Sequence, residues 1–151
     1  MPVSIKPTNT AIVGLDDGSL GLRSGIELPE LVQDMILVRN RAVALNPIDA
    51  KMIGNLGTPG AVAGMDFAGE VLAIGSRART AVPLKVGDRV CGAVPGMHAP
   101  TPQVGAFAAI VGAADITTMR IPDSMSYEQA ASLGSGMGTI GLALFRSLEI
   151  P

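Results

Sequence analysis

The fold of this chain is decided at residues 64–71, which read GMDFAGEV. Two glycines frame an acid and an aromatic residue, and the β-type run VLAI at residues 71–74 completes the segment. A glycine inside or beside a strand marks a bulge or a close approach of two backbones. Because Asp66 lies between two apolar residues, its carboxylate is predicted either to be buried with a partner or to lie at the mouth of a pocket. A capped turn before a strand is the alternative interpretation.

Composition restricts the class of protein. The chain has 151 residues, which predicts one domain over residues 1–151, and with 48% hydrophobic and 16% charged residues it is not expected to be disordered. The 19 glycines and 11 prolines indicate short strands and tight turns. The net charge is −2 and no basic run occurs, so no nucleic-acid partner is expected.

Only one cysteine and one histidine are present, Cys91 and His98. A zinc site needs three or four Cys, His or carboxylate ligands, so neither a metal nor nucleophilic catalysis is expected. Cys91 is interpreted as a small core residue and His98 as a solvated loop residue. The first seven residues contain no signal-peptide core, and no apolar run reaches membrane-spanning length. The prediction is a cytoplasmic protein with no membrane contact.

Apolar and alternating runs predict a mainly β chain with appended helices, an α+β protein built on a partly open β-barrel. The predicted strands are residues 10–15, 26–28, 35–45, 66–74, 89–94, 105–111 and 116–121. Strand 35–45 mixes polar and apolar residues on both faces, which indicates that its exposure changes along its length. Asn46 is a predicted N-cap of a short helix that ends at Gly54.

The last part of the chain changes to helical periodicity. Ser126 and Gln129 fit a capping box for a helix over residues 127–133. Three glycines over residues 134–138 are predicted to loosen it, and an apolar stripe resumes over residues 139–148. Residues 136–141 also match G-x-G-x-x-G, but a helix rather than a strand is predicted before them, so we reject a dinucleotide fingerprint.

Six short motifs follow one another along the chain. They are Asn46-Pro47-Ile48-Asp49, residues 64–71, Val86-Gly87-Asp88-Arg89-Val90, Gly105-Ala106-Phe107, Ile121-Pro122-Asp123 with Tyr127-Glu128-Gln129-Ala130-Ala131, and Thr139. In this order they resemble the medium-chain dehydrogenase/reductase superfamily. In its zinc alcohol dehydrogenases, a Cys stands at the position of Asn46 and a His-Glu pair at Met65-Asp66, and a Cys-rich loop lies between Gly92 and Gly105. All are absent from this sequence, which therefore resembles the zinc-free branch.

Within that branch, residues 46–51, residues 64–69 and the Gly-rich stretch ending at Phe145 resemble fungal trans-acting enoyl reductases of polyketide biosynthesis. The resemblance implies that residues 1–151 are a GroES-like N-terminal domain, with the Rossmann cofactor domain absent from this chain. It implies NADPH-dependent reduction of the α,β double bond of a polyketide bound to an acyl carrier of its synthase. It further implies a monomer, and a chain that is either a fragment of a longer protein or a truncated gene product that is inactive alone.

The resemblance also assigns residues by position. Cofactor contacts are assigned to Ile48, Asp49, Ala50, Lys51 and Thr139. Substrate contacts are assigned to Gly138, Thr139, Ile140, Gly141, Leu142, Ala143, Leu144 and Phe145. No catalytic residue and no metal ligand are assigned. The side-chain chemistry agrees, since a lysine suits phosphate or ribose oxygens and a threonine hydroxyl can orient a carboxamide or thioester carbonyl.

Two alternatives share these motifs. One is a non-catalytic module that binds a carrier protein or another subunit, which predicts an exposed apolar face on residues 139–148. The other is a fragment of a zinc-free quinone or small-enone oxidoreductase.

A polypeptide of these 151 residues is predicted to bind NADPH no more tightly than about millimolar. Most dinucleotide affinity comes from a pyrophosphate held at a helix N-terminus after a Gly-rich turn, which we do not find in this sequence. The remaining contacts at Asp49, Lys51 and Thr139 cannot offset the free energy lost on association. Calorimetric titration with NADPH measures this directly. Micromolar saturation, or turnover of a crotonyl thioester, would show that the site is complete.

Overall fold

Seven strands, three α-helices, a 3₁₀-helix (Asp115–Thr117) and a π-helical segment (Leu142–Ser147) make up the regular structure of residues 8–54, 57–148 and 150, which this computed structural model describes. The strands are β1 (Asn9–Gly14), β2 (Leu20–Ile26), β3 (Met35–Ala44), β4 (Asp66–Ile74), β5 (Arg89–Ala93), β6 (Ile110–Ala114) and β7 (Thr118–Arg120). The helices are α1 (Pro47–Lys51), α2 (Tyr127–Ala131) and α3 (Gly134–Gly141). Residues 1–7, in which the sequence predicts no signal peptide, lie outside the described residues. The mainly β class with appended helices is confirmed.

The strands form two antiparallel sheets. β1 and β2 pair with each other, and the larger sheet has the order β6-β3-β4-β5-β7. In the central pair, Ala44 of β3 lies opposite Asp66 of β4, and on the other side of β4 Asp66 lies opposite Ala93 of β5. This register places Asp66 at the start of the central strand of the sheet, close to the point where the chain leaves β3 for α1.

The buried core lies against β3, β4 and β5. Phe67 is the largest fully buried side chain, and it packs with Ile36, Val38, Val71 and Val90. The predicted change of exposure along β3 is confirmed, because its first half is buried whereas Arg41 and Val43 near its end are exposed.

Two glycines of the stretch at residues 64–71 permit close packing. A Cβ atom on Gly69 would lie 2.1 Å from the carbonyl oxygen of Arg39, so the β3–β4 pair can approach at the bulge only with glycine there. Gly64 has φ +88°, and a Cβ atom on it would lie 2.2 Å from Cδ1 of Phe107. The prediction that these glycines mark a bulge or a close backbone approach is confirmed.

Two strand predictions were misplaced. The predicted strand at residues 26–28 is instead β2, Leu20–Ile26, which is largely exposed and is formed by pairing with β1 rather than by its own apolar pattern. The predicted strand at residues 105–111 is shifted, because pairing with β3 begins only at Ile110. Instead, the Phe107 carbonyl accepts the Ile12 N–H and the Phe107 N–H donates to the Ala63 carbonyl, each at 2.8 Å.

Helix α2 closes one face of the larger sheet. The predicted capping box is confirmed, since Ser126 Oγ accepts from the Gln129 N–H at 3.2 Å and the Ser126 N–H donates to Gln129 Oε1 at 3.0 Å. Ala130 and Ala131 are fully buried with Ala68, Cys91 and Ile121 in a second core cluster. Packing of small side chains therefore brings the helix close to the sheet.

The expected loosening at the glycines of residues 134–138 is wrong. These residues form α3, and the irregular part follows it as a π-helical segment, Leu142–Ser147, in which the Leu148 N–H donates to the Ala143 carbonyl at 3.0 Å. The G-x-G-x-x-G letters thus lie within a helix that follows another helix, which is not the geometry of a dinucleotide turn.

Replacing Gly64 by alanine is predicted to destabilise the protein by about 3 kcal/mol, because a left-handed backbone conformation and a clash with the Phe107 ring add together. Gly25→Ala is the matched control, since Gly25 has φ +78° but open space around its Cβ position, and it should cost only about 1 kcal/mol. Urea unfolding of the two variants measures the difference. Equal losses would contradict the role given to the Phe107 contact.

Candidate functional site

An open groove of about 690 Å³ lies where α1 and α3 approach the edge of the larger sheet. Ile48 lines it from α1, and Thr139 lines it from α3. The full lining is Ile48, Met65, Ala93, Ile116, Thr117, Met119, Gly134, Ser135, Met137, Gly138, Thr139 and Leu142. Two segments that are far apart in the chain are therefore brought to one concave surface.

The groove contains part of the predicted site. Of the predicted cofactor contacts, Ile48 and Thr139 line it, whereas Asp49, Ala50 and Lys51 do not. Of the predicted substrate contacts, Gly138, Thr139 and Leu142 line it. The remaining five, Ile140, Gly141, Ala143, Leu144 and Phe145, lie on the same helical segments outside the groove lining.

Beside the groove, Asp66 is fully buried, with no exposed surface. Asp66 Oδ2 accepts a hydrogen bond from Asn46 Nδ2 at 3.0 Å. The other carboxylate oxygen accepts both the Ser135 backbone N–H at 2.8 Å and the Ser135 hydroxyl at 2.5 Å. Of the interpretations offered for this acid, burial with a partner is confirmed, and the partners come from the start of α1 and the start of α3.

Asp49 lies on the first turn of α1 and belongs to the same polar region. Its Oδ2 accepts the Asn46 backbone N–H at 2.7 Å. Asn46 is therefore bound through its backbone by Asp49 and through its side chain by Asp66. Burial raises the pKa of the Asp49 carboxyl, and the negative charge of Asp66 adds to this effect, although the backbone N–H of Asn46 opposes it. Asn46 thus links the two acids.

The groove lining is apolar apart from backbone groups and hydroxyls. Its polar side chains are Thr117, Ser135 and Thr139, and among the residues that the structure describes its lining includes no acid, histidine, cysteine, lysine, arginine or tyrosine. Within residues 8–54, 57–148 and 150, no group of three or more His, Cys, Asp or Glu side chains is placed to hold a metal ion. The surface therefore suits an uncharged or flat ligand that is oriented by a few hydrogen bonds.

Residues 32–123 match the family described as the alcohol dehydrogenase GroES-like domain. The chain belongs to this family. Its membership of the medium-chain dehydrogenase/reductase superfamily, predicted from the six motifs, is thereby confirmed. The match spans β3 to the residues before α2, so the GroES-like domain includes the sheet that carries Asp66.

A curated relative of this GroES-like domain is the trans-enoyl reductase FSL5 of Gibberella zeae, 64% identical over 143 residues. The match covers 95% of this chain and 40% of the relative, so the chain spans about two fifths of the length of that relative. Among solved structures, the quinone oxidoreductase of Coxiella burnetii is 28% identical with a TM-score of 0.74, over 95% of this chain and 46% of that one.

A third comparison concerns the fold alone. The quinone oxidoreductase of Escherichia coli, solved in complex with NADPH, is 23% identical with a TM-score of 0.68, over 91% of this chain and 41% of that one. The matches to FSL5 and to the Coxiella burnetii protein place the GroES-like domain in an oxidoreductase family.

Several groove residues were missed by the sequence analysis. Ile116 and Thr117 lie in the 3₁₀ turn Asp115–Thr117 between β6 and β7, and Met119 lies in β7, whereas the sequence analysis placed all three in one strand over residues 116–121. Ser135 and Met137 lie among the glycines that were expected to loosen a helix. The polar Ser135 at the start of a Gly-rich helix is the one signal that could have been used, since a polar residue there can bind a buried acid.

An apolar face on α3 and the π-helical segment is exposed. Met137, Ile140, Leu142, Phe145 and Leu148 are each more than half exposed, with values from 53% to 67%. The alternative of a carrier- or subunit-binding module predicts such a face, but so does a domain that contacts other parts of a longer oxidoreductase. In the part of the chain that the structure describes, no helix is long and apolar enough to cross a membrane.

Cys91 is predicted to be inert toward alkylation. It is buried beside Asp66, and burial together with the nearby carboxylate raises the pKa of its thiol to about 11. The thiolate fraction at pH 8 should thus fall more than about a hundredfold below that of an unfolded cysteine. Iodoacetamide labelling of the Cys91 peptide, followed by mass spectrometry with and without urea, measures the ratio. Equal rates would mean that Cys91 is accessible.

Proposed function

We propose that the chain forms the substrate-facing part of a trans-acting enoyl reductase that uses NADPH. Its reaction would be the reduction of the α,β double bond of a polyketide thioester bound to an acyl carrier of a polyketide synthase. The proposed location is the cytoplasm and the proposed state is a monomer, on the sequence grounds given above. The main support is the groove in which Ile48, from the predicted cofactor segment, and Thr139, from the predicted substrate segment, share one surface.

The chemistry of the groove supports this proposal. An enoyl thioester is largely apolar, with one carbonyl oxygen that accepts hydrogen bonds. The groove offers apolar side chains, among them Ile48, Met65 and Met137, and a small number of hydroxyls. Its volume of about 690 Å³ falls in the range of small-molecule sites.

The residues fit one end of the cofactor. Gly138 has open space where a Cβ atom would stand, and it lies next to Thr139 in the groove lining, so a flat nicotinamide ring could approach the helix there. Ile48 and Thr139 would hold this end, and Lys51, which is exposed on α1, could reach phosphate or ribose oxygens. When bound, NADPH supplies the hydride for the β carbon of the substrate.

The protein contributes orientation and exclusion of water. The Thr139 hydroxyl is the proposed donor to the thioester carbonyl or the nicotinamide carboxamide, and such a bond would fix the reacting atoms relative to each other. The apolar side chains of Met65, Met119 and Met137 would shield the double bond from solvent. No side chain of the groove lining is assigned as the proton donor for the α carbon.

A second candidate is a quinone or small-enone oxidoreductase. It is favoured by the 28% identity to the Coxiella burnetii quinone oxidoreductase over nearly the whole chain. The two candidates differ in the acceptor, because a free quinone needs no thioester carbonyl contact and no carrier.

Thr139→Val is predicted to lower kcat/KM for a crotonyl thioester about tenfold, because one hydrogen bond that orients the substrate is lost while the side-chain shape is kept. The assay uses the protein at its natural length and follows NADPH oxidation. Thr80→Val is the matched control, since Thr80 is a loop residue whose hydroxyl donates only to the Val82 carbonyl.

Lys51→Ala should raise the KM for NADPH and change the KM for the thioester much less.

Reduction of a simple quinone with no thioester turnover would favour the second candidate. Binding of a carrier protein without oxidation of NADPH toward either acceptor would favour the non-catalytic module.

A further inference from the structure

The two walls of the groove are joined through one buried carboxylate. Asp66 on β4 accepts a bond from Asn46, directly before α1, and two bonds from Ser135, the second residue of α3. Asn46 and Ser135 use different oxygens of the same carboxylate. A shift of either segment would therefore break a bond to an acid that has no access to water.

The start of α3 has no free space in which to move toward the sheet. A Cβ atom on Gly134 would lie 2.4 Å from the Gly92 carbonyl oxygen and 2.8 Å from Asp66 Oδ1. The helix thus begins against β5 and against the carboxylate itself. Because Gly134, Ser135, Gly138 and Thr139 all line the groove, the position of this first turn sets where the α3 wall lies.

We propose that Asp66 is a positioning residue that fixes α3 relative to α1 and thereby sets the width of the groove between Ile48 and Thr139. Asp66 itself is not among the groove-lining residues, so it acts through Asn46 and Ser135. The inference rests on the proposed function in one respect only, namely that the ligands of the groove are an enoyl thioester and the nicotinamide end of NADPH. The linkage itself rests on the three hydrogen bonds and on the close approach at Gly134.

The first experiment measures the linkage without any reaction. Hydrogen exchange is followed across α3 in the protein at its natural length, for the wild type, Asp66→Ala and Asp88→Ala. Asp88 is the matched control because it is a buried acid of the neighbouring turn that accepts the Lys85 N–H at 3.0 Å, away from the groove. Asp66→Ala should speed exchange in α3 by about tenfold or more, whereas Asp88→Ala should leave α3 unchanged. Unchanged exchange in Asp66→Ala would overturn the proposal.

The second experiment separates positioning from stability. In Asp66→Ala, the KM for a crotonyl thioester should rise about tenfold and kcat/KM should fall about a hundredfold, because the reacting groups are misplaced. In a variant that is only less stable, as expected for Asp88→Ala, less of the protein is folded and active. The apparent kcat therefore falls while the KM stays the same. An unchanged KM in Asp66→Ala would overturn the positioning role.

Ser135→Ala tests whether Ser135 acts through Asp66. It removes the 2.5 Å hydroxyl bond but keeps the backbone N–H bond, so its rise in KM should be smaller than that of Asp66→Ala. In an Asp66→Ala background it should have no further effect, because residues that act through one shared partner are not additive. Full additivity would overturn the linkage. If Asp66→Ala does not fold, Ser135→Ala is the test by itself. It should then speed hydrogen exchange in α3 and raise the KM for the thioester, and no change in either quantity would overturn the proposal.

Failure of the proposed function is recognised separately. A wild-type protein that reduces no enoyl thioester overturns that function. Faster α3 exchange in Asp66→Ala would still support the linkage in that case, because exchange does not depend on a substrate.

Discussion

The buried carboxylate of Asp66 is the interaction on which the site depends. A carboxylate with no exposed surface is costly to bury unless its oxygens accept hydrogen bonds, and here three donors satisfy them. The donors belong to segments before α1 and at the start of α3, so the free energy that stabilises the acid also orders the groove. The β3–β4–β5 register places the acid at the first residue of the central strand, opposite Ala44 and Ala93.

The helices around the groove depend on this sheet for their stability. α1 and α2 have five residues each and α3 has eight, three of them glycine besides its first. Helices of this length are not stable alone in water, and glycine weakens them further. Their positions therefore follow from contacts with the sheet: Ala130 and Ala131 against Ala68 and Cys91, and Gly134 against Gly92. This dependence explains how an oxidoreductase domain can build a site from short, weak elements.

The sequence analysis succeeded where the local pattern is strong. It predicted β3, β4, β5 and the capping box of α2, because hydrophobic alternation and side-chain caps are local signals. It misplaced β2, whose residues are mostly exposed and polar or glycine, because pairing with β1 makes that segment a strand. It shifted β6 for the same reason, since the register with β3 begins only at Ile110. The groove residues Ile116 and Met119 carry no local signal at all.

The sequence by itself determined the fold class and the family, because hydrophobic periodicity, glycine positions and motif order are properties of the chain alone. It singled out Asp66 but left open whether this acid is buried with a partner or lies at the mouth of a pocket. The tertiary structure decided which residues meet. It brought Ile48 and Thr139 into one groove, left Lys51 and Phe145 outside the groove lining, and joined Asn46 to Ser135 through Asp66. Hydrogen bonds and packing between distant segments depend on strand register and on the close approach of backbones, and neither is encoded in any one stretch of sequence.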